Sequence, residues 1–368
     1  LIDYRFGMDQ QAAALSRQTK DVEKKISDVK ADTTLVMIEL ETPRPAHIFE
    51  RGDYRKPGVA VEPGTPEHLH PLPAGPANRI TLANWLVAPN NPLVARVTVN
   101  RWWAELFGHG IVATVEDFGL KGDAPSHPDV LDWLAVEFVE NGWSMKKLLK
   151  TIVLSATYQQ SSHTTRESLE RDDLNRLLAR GPRFRMDAEM IRDHALAISG
   201  LLSLKQFGPP IRPWQPDGIW NKVGGTAYKY EVSQGEDQYR RGVYVVIKRG
   251  GPYPSFVNFD ASARLACTVR RSKTNTPLQA LTLLNDPVYV EAAENLAKRV
   301  LTDSPEADAE TRLSYAFRIC AGRRPTGNEI STLNRLLNGA ASESESETAA
   351  WRSVATVLLN MHATITKD

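Results

Sequence analysis

The sequence predicts a mainly α (α+β) protein: a multi-helix globular domain with a small β portion, preceded by an N-terminal helix and an extended proline-rich arm. Three observations carry that expectation. Apolar residues recur at helical spacing through most of the chain from residue 78 onward. Strand-like runs are few and short, TTLVMIEL at 33–40 and VYVVIK at 243–248. The stretch PGVAVEPGTPEHLHPLPAGP, residues 57–76, holds six prolines, the composition of a linker or a surface-hugging arm.

Taken in order, residues 8–30 read as one polar helix with Leu15, Val22 and Val29 at heptad spacing and Ile26 beside them. So narrow a stripe calls for a partner helix, expected in an upstream segment. The run 33–40 is β-branched enough for a strand, and 43–54 can return beside it. The chain thus divides into residues 1–56, read as the end of an upstream domain, an arm at 57–77, and a mainly helical domain at 78–368. Within that domain, Asn91-Pro92 supplies a cap and a first-turn proline for PLVARVTVNRWWAELF, which Gly108 ends. In PDVLDWLAVEFVENG, Val130, Leu131, Leu134, Val136 and Phe138 are expected to face inward, and Ser144 is placed to cap the next helix. Helical patterns continue at 172–180 and 187–202. Residues 208–239, rich in Pro, Gly and Trp, read as irregular. Further helices are expected near 277–285, 287–301, 309–321, 326–338 and 347–364.

Composition limits the function classes. With 42% hydrophobic and 24% charged residues the chain has the make-up of a soluble globular protein. Lys plus Arg number 45 against 44 Asp plus Glu, so no overall field draws in nucleic acid or an anionic membrane, and any basic site is local. Cys267 and Cys320 form no C-x-x-C or haem-attachment motif, and no run approaches the roughly 20 apolar residues of a membrane span. The N-terminus lacks a signal-peptide pattern and a methionine, which reads as a processed piece of a longer chain. There is no G-x-S-x-G elbow, H-E-x-x-H, P-loop or G-x-G-x-x-G.

Four constellations could carry chemistry. Asp117 and His127 stand in DFGLKGDAPSHPDVLD with further carboxylates, an arrangement suited to acid/base work or a metal, or else to capping the helix that Ser126 to Asp129 open. Glu67-His68-Leu69-His70 could place two imidazoles on one side of an extended chain, but no third ligand is evident nearby. Arginines gather in VNRWW (Arg101), AEMIRD (Arg192, next to Asp193), YRRGVY (Arg240, Arg241) and VRRSKTNTP (Arg270, Arg271). Planar forks of this kind bind carboxylate, phosphate or sulfate, or pair internally with residues such as Glu105, Glu189, Asp193 and Asp260. Among the aromatics, Trp214 and Trp220 in PWQPDGIW are the better candidates for a stacking platform, with Tyr228, Tyr230, Tyr239 and Tyr244 following.

The stretch RRSKTNTPLQ, residues 270–279, combines a cap with a charge problem. Thr276 and Pro277 are placed to start a helix whose buried side would be Leu278, Leu281 and Leu284. Arg270, Arg271 and Lys273 oppose that helix's dipole unless an anion lies between them, either an internal carboxylate such as Asp260 or a ligand.

Several of these segments, in order, resemble a known family: NPLVARVTVNRWWAELFGHGIVATVEDFGLKGDAPSHPDVLDWLAVEF, GWSMKKLLKTIVLSATYQQSS, AEMIRDHALAISGLL, YRRGVYVVIKR and FDASARLACTVRRSKTNTPLQALTLLNDP. They are similar to the planctomycete-type domain of unknown function 1553. The resemblance implies a C-terminal position in a large exported polypeptide after a cytochrome-c-like domain, hence an extracytoplasmic setting and upstream domains of the same chain as partners. It implies no cofactor in this chain, any haem belonging to an upstream part. The family offers no established catalytic residues. Its motif positions here are Asn100, Arg101, Asp117, His127, Arg192, Asp193, Arg240, Arg241, Asp260, Arg270, Arg271, Asn275 and Gln279, and GHG at 108–110 stands where relatives often carry a central basic residue. The leading expectation is a non-haem module that binds an anionic or carbohydrate ligand, or a partner domain, through an arginine- and aromatic-lined cleft. One alternative is an enzyme acting on a carbohydrate or sulfated glycan, with Asp117 and His127 as acid/base. The other is a purely architectural domain.

Overall fold

The computed structural model describes residues 10–29, 34–42, 44–220, 229–344 and 346–367. Tyr228 lies outside them. The chain forms two units, Leu1–Asn78 and Arg79–Asp368.

In the first unit, helix α1 (Gln10–Asp28) leaves its stripe in solvent, with Leu15 63% and Ile26 68% exposed. The strand expected at 33–40 is not formed by its described residues 34–40. The hairpin is built instead from β1 (Ala46–Phe49) and β2 (Pro57–Val61), which pair antiparallel. A turn through Arg51 and Gly52, both at positive φ, lets these two segments meet at little loop-closure cost, and no third strand reaches 34–40.

The second unit is mainly helical and holds two hydrophobic clusters. The first joins α3 (Val94–Phe107), α4 (Pro128–Glu140) and α5 (Met145–Val153), which follow α2 (Arg79–Leu86). Asn91 Oδ1 accepts the Leu93 and Val94 N–H groups at 3.0 and 3.2 Å, but α3 begins at Val94 with Leu93 at the cap position, so Pro92 stands before the helix and not at its first position. Ser144 likewise accepts from Lys147 at the start of α5. In α4 the buried stripe is Leu131, Leu134, Ala135 and Phe138, a regular i, i+3, i+4, i+7 set. Val130 and Val136 fall outside it and are 37% and 55% exposed, against the sequence expectation. No side chain caps α4; Ser126 donates to Ile111 O instead, pinning the preceding loop.

The larger cluster gathers α7 (Ala188–Ile198), α8 (Pro254–Asn258), α9 (Pro277–Asn285), α10 (Pro287–Asp303), α11 (Ala309–Ala321), α12 (Gly327–Glu343), α13 (Glu347–Leu359) and α14 (His362–Ile365) around Leu296, Leu313, Phe317, Val354 and Leu358. The helix expected at 172–180 lies earlier, as α6 (Arg166–Arg171). The Asp172 carboxylate takes the Arg176 and Leu177 N–H groups, and Asn175 and Leu178 adopt positive φ, so 172–180 folds as turns. Strands β3 (Phe184–Arg185) and β4 (Thr366–Lys367) pair antiparallel.

Two further expectations are corrected here. Residues 243–248 are not a strand: a 3-10 turn spans Gly242–Tyr244, and Val245 makes only an isolated bridge to Ile211. Asp193 accepts the Gly242 N–H and Arg241 O accepts that of Tyr244, so these donors are spent before a ladder can use them. In α9 the three leucines expected inside point outward, Leu278 and Leu281 each 53% and Leu284 39% exposed, while Gln279, Thr282 and Leu283 are buried. The polar side is buried because Gln279 and Thr282 bond inward to Asn258. No helix of the described residues is long and apolar enough to cross a membrane.

Candidate functional site

Within the second unit a cavity of about 1230 Å³ opens between the C-terminal end of α3, the turns at 173–183, Phe184, Asp187 and the segment 267–273. Local sequence explains each wall. Gly108 takes the left-handed conformation that closes α3, its N–H bonded to Ala104 O at 2.8 Å. The next residue, His109, lines the cavity. Gly110 then passes so close to Asn100 that an added Cβ would sit 2.7 Å from Asn100 Nδ2. Asn100, fully buried, clamps the following loop by exchanging two hydrogen bonds with the Val112 backbone, at 2.9 and 3.0 Å.

The segment from 270 to 274 is held by Asp260, as its sequence context suggests, although not through Arg270. Asp260 accepts from Thr274 N and Oγ1 at 2.8 and 2.9 Å and from Arg185 Nη2 at 2.7 Å. Burial pushes the Asp260 carboxyl up, but these bonds together outweigh it and hold the group below the usual carboxylate range. Gln279, buried, donates to Asn258 O and Thr274 O and accepts from the Thr276 N–H. Both residues fix the loop and leave the cavity to others.

Six cationic side chains, Arg101, Arg180, Arg183, Arg270, Arg271 and Lys273, line the cavity against three carboxylates, Glu105, Asp173 and Asp187. They are not equally committed. Arg271 forms a bidentate pair with Glu189 at 2.6 and 3.1 Å and lies 3.6 Å from Asp187. Burial raises the Glu189 carboxyl, yet the Arg271 bond and charge more than offset it, and Glu189 stays below its ordinary range. Arg180 donates to the carbonyls of Ser168, Asp172 and Asp173, and Arg183 contacts His362. Lys273 stands 4.1 Å over the Phe184 ring. Arg101 and Arg270 take no partner from the described residues. Burial, then the charges of Arg270, Lys273 and Arg176, push the His109 imidazole below its usual value, so at neutral pH it is uncharged.

The remaining sequence candidates lie elsewhere. Arg192 and Arg240 are each 1% exposed and serve backbone carbonyls: Arg192 donates to Arg240 O and Gln238 O, and Arg240 to Lys205 O, Pro209 O and Phe207 O while stacking on Tyr244. Arg241 pairs with Asp193 at 3.3 Å. Asn275 is exposed. Asp117 closes a local turn through Gly119 N–H, and His127 Nδ1 contacts Ser126 Oγ; neither lines the large cavity. Trp220 is buried, its Nε1–H donating to Gly251 O and Tyr230 edge-on against it. Trp214 is 40% exposed and borders a second cavity of about 210 Å³. Among the described residues no cluster of three or more His, Cys, Asp or Glu is arranged to hold a metal.

Sequence reasoning overlooked His109, Arg180, Arg183 and Cys267 as cavity residues. Only GHG offered a signal, a glycine-flanked histidine directly after a helix. No curated protein and no solved structure matches the chain. Residues 78–337, which carry the cationic cavity, the Trp214 cavity and the buried arginines, match the family described as Protein of unknown function (DUF1553), and the chain belongs to that family.

Proposed function

We propose that the second unit is a binding module for a ligand bearing more than one carboxylate or sulfate group, held in the cationic cavity. The observation that carries this reading is the presence of two unpaired guanidinium groups, Arg101 and Arg270, in a cavity lined by twice as many cations as carboxylates. A guanidinium fork that its own protein leaves open is matched by a planar or tetrahedral oxyanion. At about 1230 Å³ the space exceeds that of an ordinary drug-sized site, which favours an oligomeric anion over a single small one. The resemblance supports setting the module in an extracytoplasmic, cytochrome-linked polypeptide, with the upstream domains as partners.

Cys267 provides a reporter, because it is exposed on the cavity wall while Cys320 is buried. Alkylation of Cys267 by the neutral reagent iodoacetamide is measured with dextran sulfate oligomers, citrate or chloride, at matched ionic strength. Dextran sulfate and citrate should slow it. The Arg101→Ala/Arg270→Ala variant should need about 30- to 150-fold more of either, for two charge-assisted contacts at about 1–1.5 kcal/mol each. Arg241→Ala, paired outside the cavity, should behave as the parent. Equal protection of the parent and the double variant would sink the proposal.

A further inference from the structure

The smaller cavity carries a separate inference. It is lined by Trp214, Tyr239, Glu291, Gln238, Pro287 and their neighbours, all within the second unit. Its walls are tied down one by one. Arg192 holds the Gln238 carbonyl at 2.6 Å, Tyr230 donates to Pro213 O, and Asp286 accepts the Val288 N–H at 3.0 Å. Tyr239 donates its hydroxyl to Glu291 Oε1 at 2.6 Å. Glu291 Oε2 takes no partner from the described residues, whereas the Tyr239 oxygen, its proton given to Glu291, already faces the Gln238 side-chain donor.

We infer that this cavity is a binding site for one neutral pyranose ring, with the Trp214 indole as its platform and the Glu291 carboxylate as the acceptor for ring hydroxyls. The apolar C–H face of a sugar suits an exposed indole, while its hydroxyls supply the donor that the open Glu291 carboxylate oxygen lacks. An anionic ring is disfavoured because Glu291 would repel it. A volume of about 210 Å³ equals roughly seven waters at their share of liquid volume, room for one ring and not for a chain of them. The bond to Glu291 and burial hold the Tyr239 phenol up at about 12, so it keeps its proton across the physiological range.

The test uses the whole chain and a panel of methyl glucopyranosides, galactopyranosides, mannopyranosides and N-acetylglucosaminides, titrated by calorimetry with saturation-transfer NMR to map the contacting ring protons. At least one should bind with a Kd near the millimolar range, the level expected for a ligand of about a dozen heavy atoms. Trp214→Ala and Glu291→Gln should each weaken it by about tenfold or more. Arg101→Ala/Arg270→Ala should leave it unchanged, so this site and the anion site stand or fall separately. Either of two results overturns the inference: no panel member binding below about 10 mM, or a Trp214→Ala protein, shown folded by circular dichroism, that binds as the parent does.

Discussion

Asp260 is where the cavity loop is most open to a clean perturbation. Its carboxylate accepts two bonds from Thr274 and one from Arg185, with side-chain exposures of only 17% for Asp260 and 11% for Arg185. Its φ is +61°, a conformation asparagine adopts as readily as aspartate, so Asp260→Asn removes the charge without adding backbone strain. The amide keeps one acceptor for Thr274, and Arg185 keeps the carbonyls of Thr274 and Phe259. The loss is then that of one partly buried charge pair and one charge-assisted bond, about 2–3 kcal/mol. For a unit of this size that is roughly 2 °C per kcal/mol, a fall in Tm of about 4–6 °C. Asp260→Ala should fall by about 1 kcal/mol more, because alanine tolerates the left-handed region poorly. The folded-state pKa lies below the unfolded one, so the carboxylate's contribution is present above the ordinary aspartate pKa and disappears as pH falls through the lower folded value. Thermal melts of parent and Asp260→Asn should therefore differ at neutral pH and converge as pH falls below the depressed folded-state pKa of Asp260. A difference within about 0.5 kcal/mol at neutral pH, or one that persists undiminished in acid, would refute the assignment of Asp260 as the loop's anchor.

Three other perturbations follow from the same geometry. Hydrogen bonds from Arg323, at 2.7 and 3.0 Å, with those of Thr326, hold Glu329 at about 2, so its stabilisation is lost between the ordinary glutamate pKa and that value. Both side chains are roughly a third exposed, and screening reduces the expected loss in Glu329→Gln to about 1 kcal/mol, read from urea melts at neutral pH. Gly110→Ala drives a methyl against Asn100 and the Val112 carbonyl and should cost about 2–3 kcal/mol by breaking the Asn100 clamp, measured by the same melts. An anion bound beside His109 favours the imidazolium, so its affinity should rise by about three- to tenfold as pH falls through the depressed His109 pKa, and His109→Ala should flatten that dependence in the Cys267 protection assay.

The fold class was legible because it rests on local signals. Ser144 caps α5 where its sequence neighbours place it, and Asn91 takes the N–H groups just ahead of α3, bonds that span only two or three residues. Failures occur where a distant partner decides. Nothing near 243–248 announces that Asp193 takes the Gly242 N–H. Likewise the leucines of α9 form an acceptable inward stripe until Asn258, two dozen residues upstream in sequence, claims Thr282 and Gln279 and turns the helix over. In 34–40, the described part of the expected strand, β-branched composition was sufficient for a strand and pairing was not, since a strand exists only where a neighbour shares its ladder.

The arginines show the same limit and also explain the site. Four arginine-bearing segments stand in the sequence with carboxylates nearby, and that alone cannot rank them. Arg192 and Arg240 are held by carbonyls of irregular segments, Gln238 and Arg240 for one and Lys205, Phe207 and Pro209 for the other. Such partners have no composition and leave no trace in a sequence. Removing these two from the candidate set, and Arg241 and Arg271 to Asp193 and Glu189, leaves Arg101 and Arg270. Those two belong to different segments, α3 and the loop that Asp260 anchors, and they line the same cavity. Two side chains brought to one space by separate structural devices, Asn100 with Gly110 on one wall and Asp260 with Thr274 on the other, both remain without a counter-ion among the described residues. Both forks are exposed, so water can solvate them, and it is their shared cavity that matters. Their placement on one wall and the other, beside Lys273, is the physical argument for a ligand that carries negative charge.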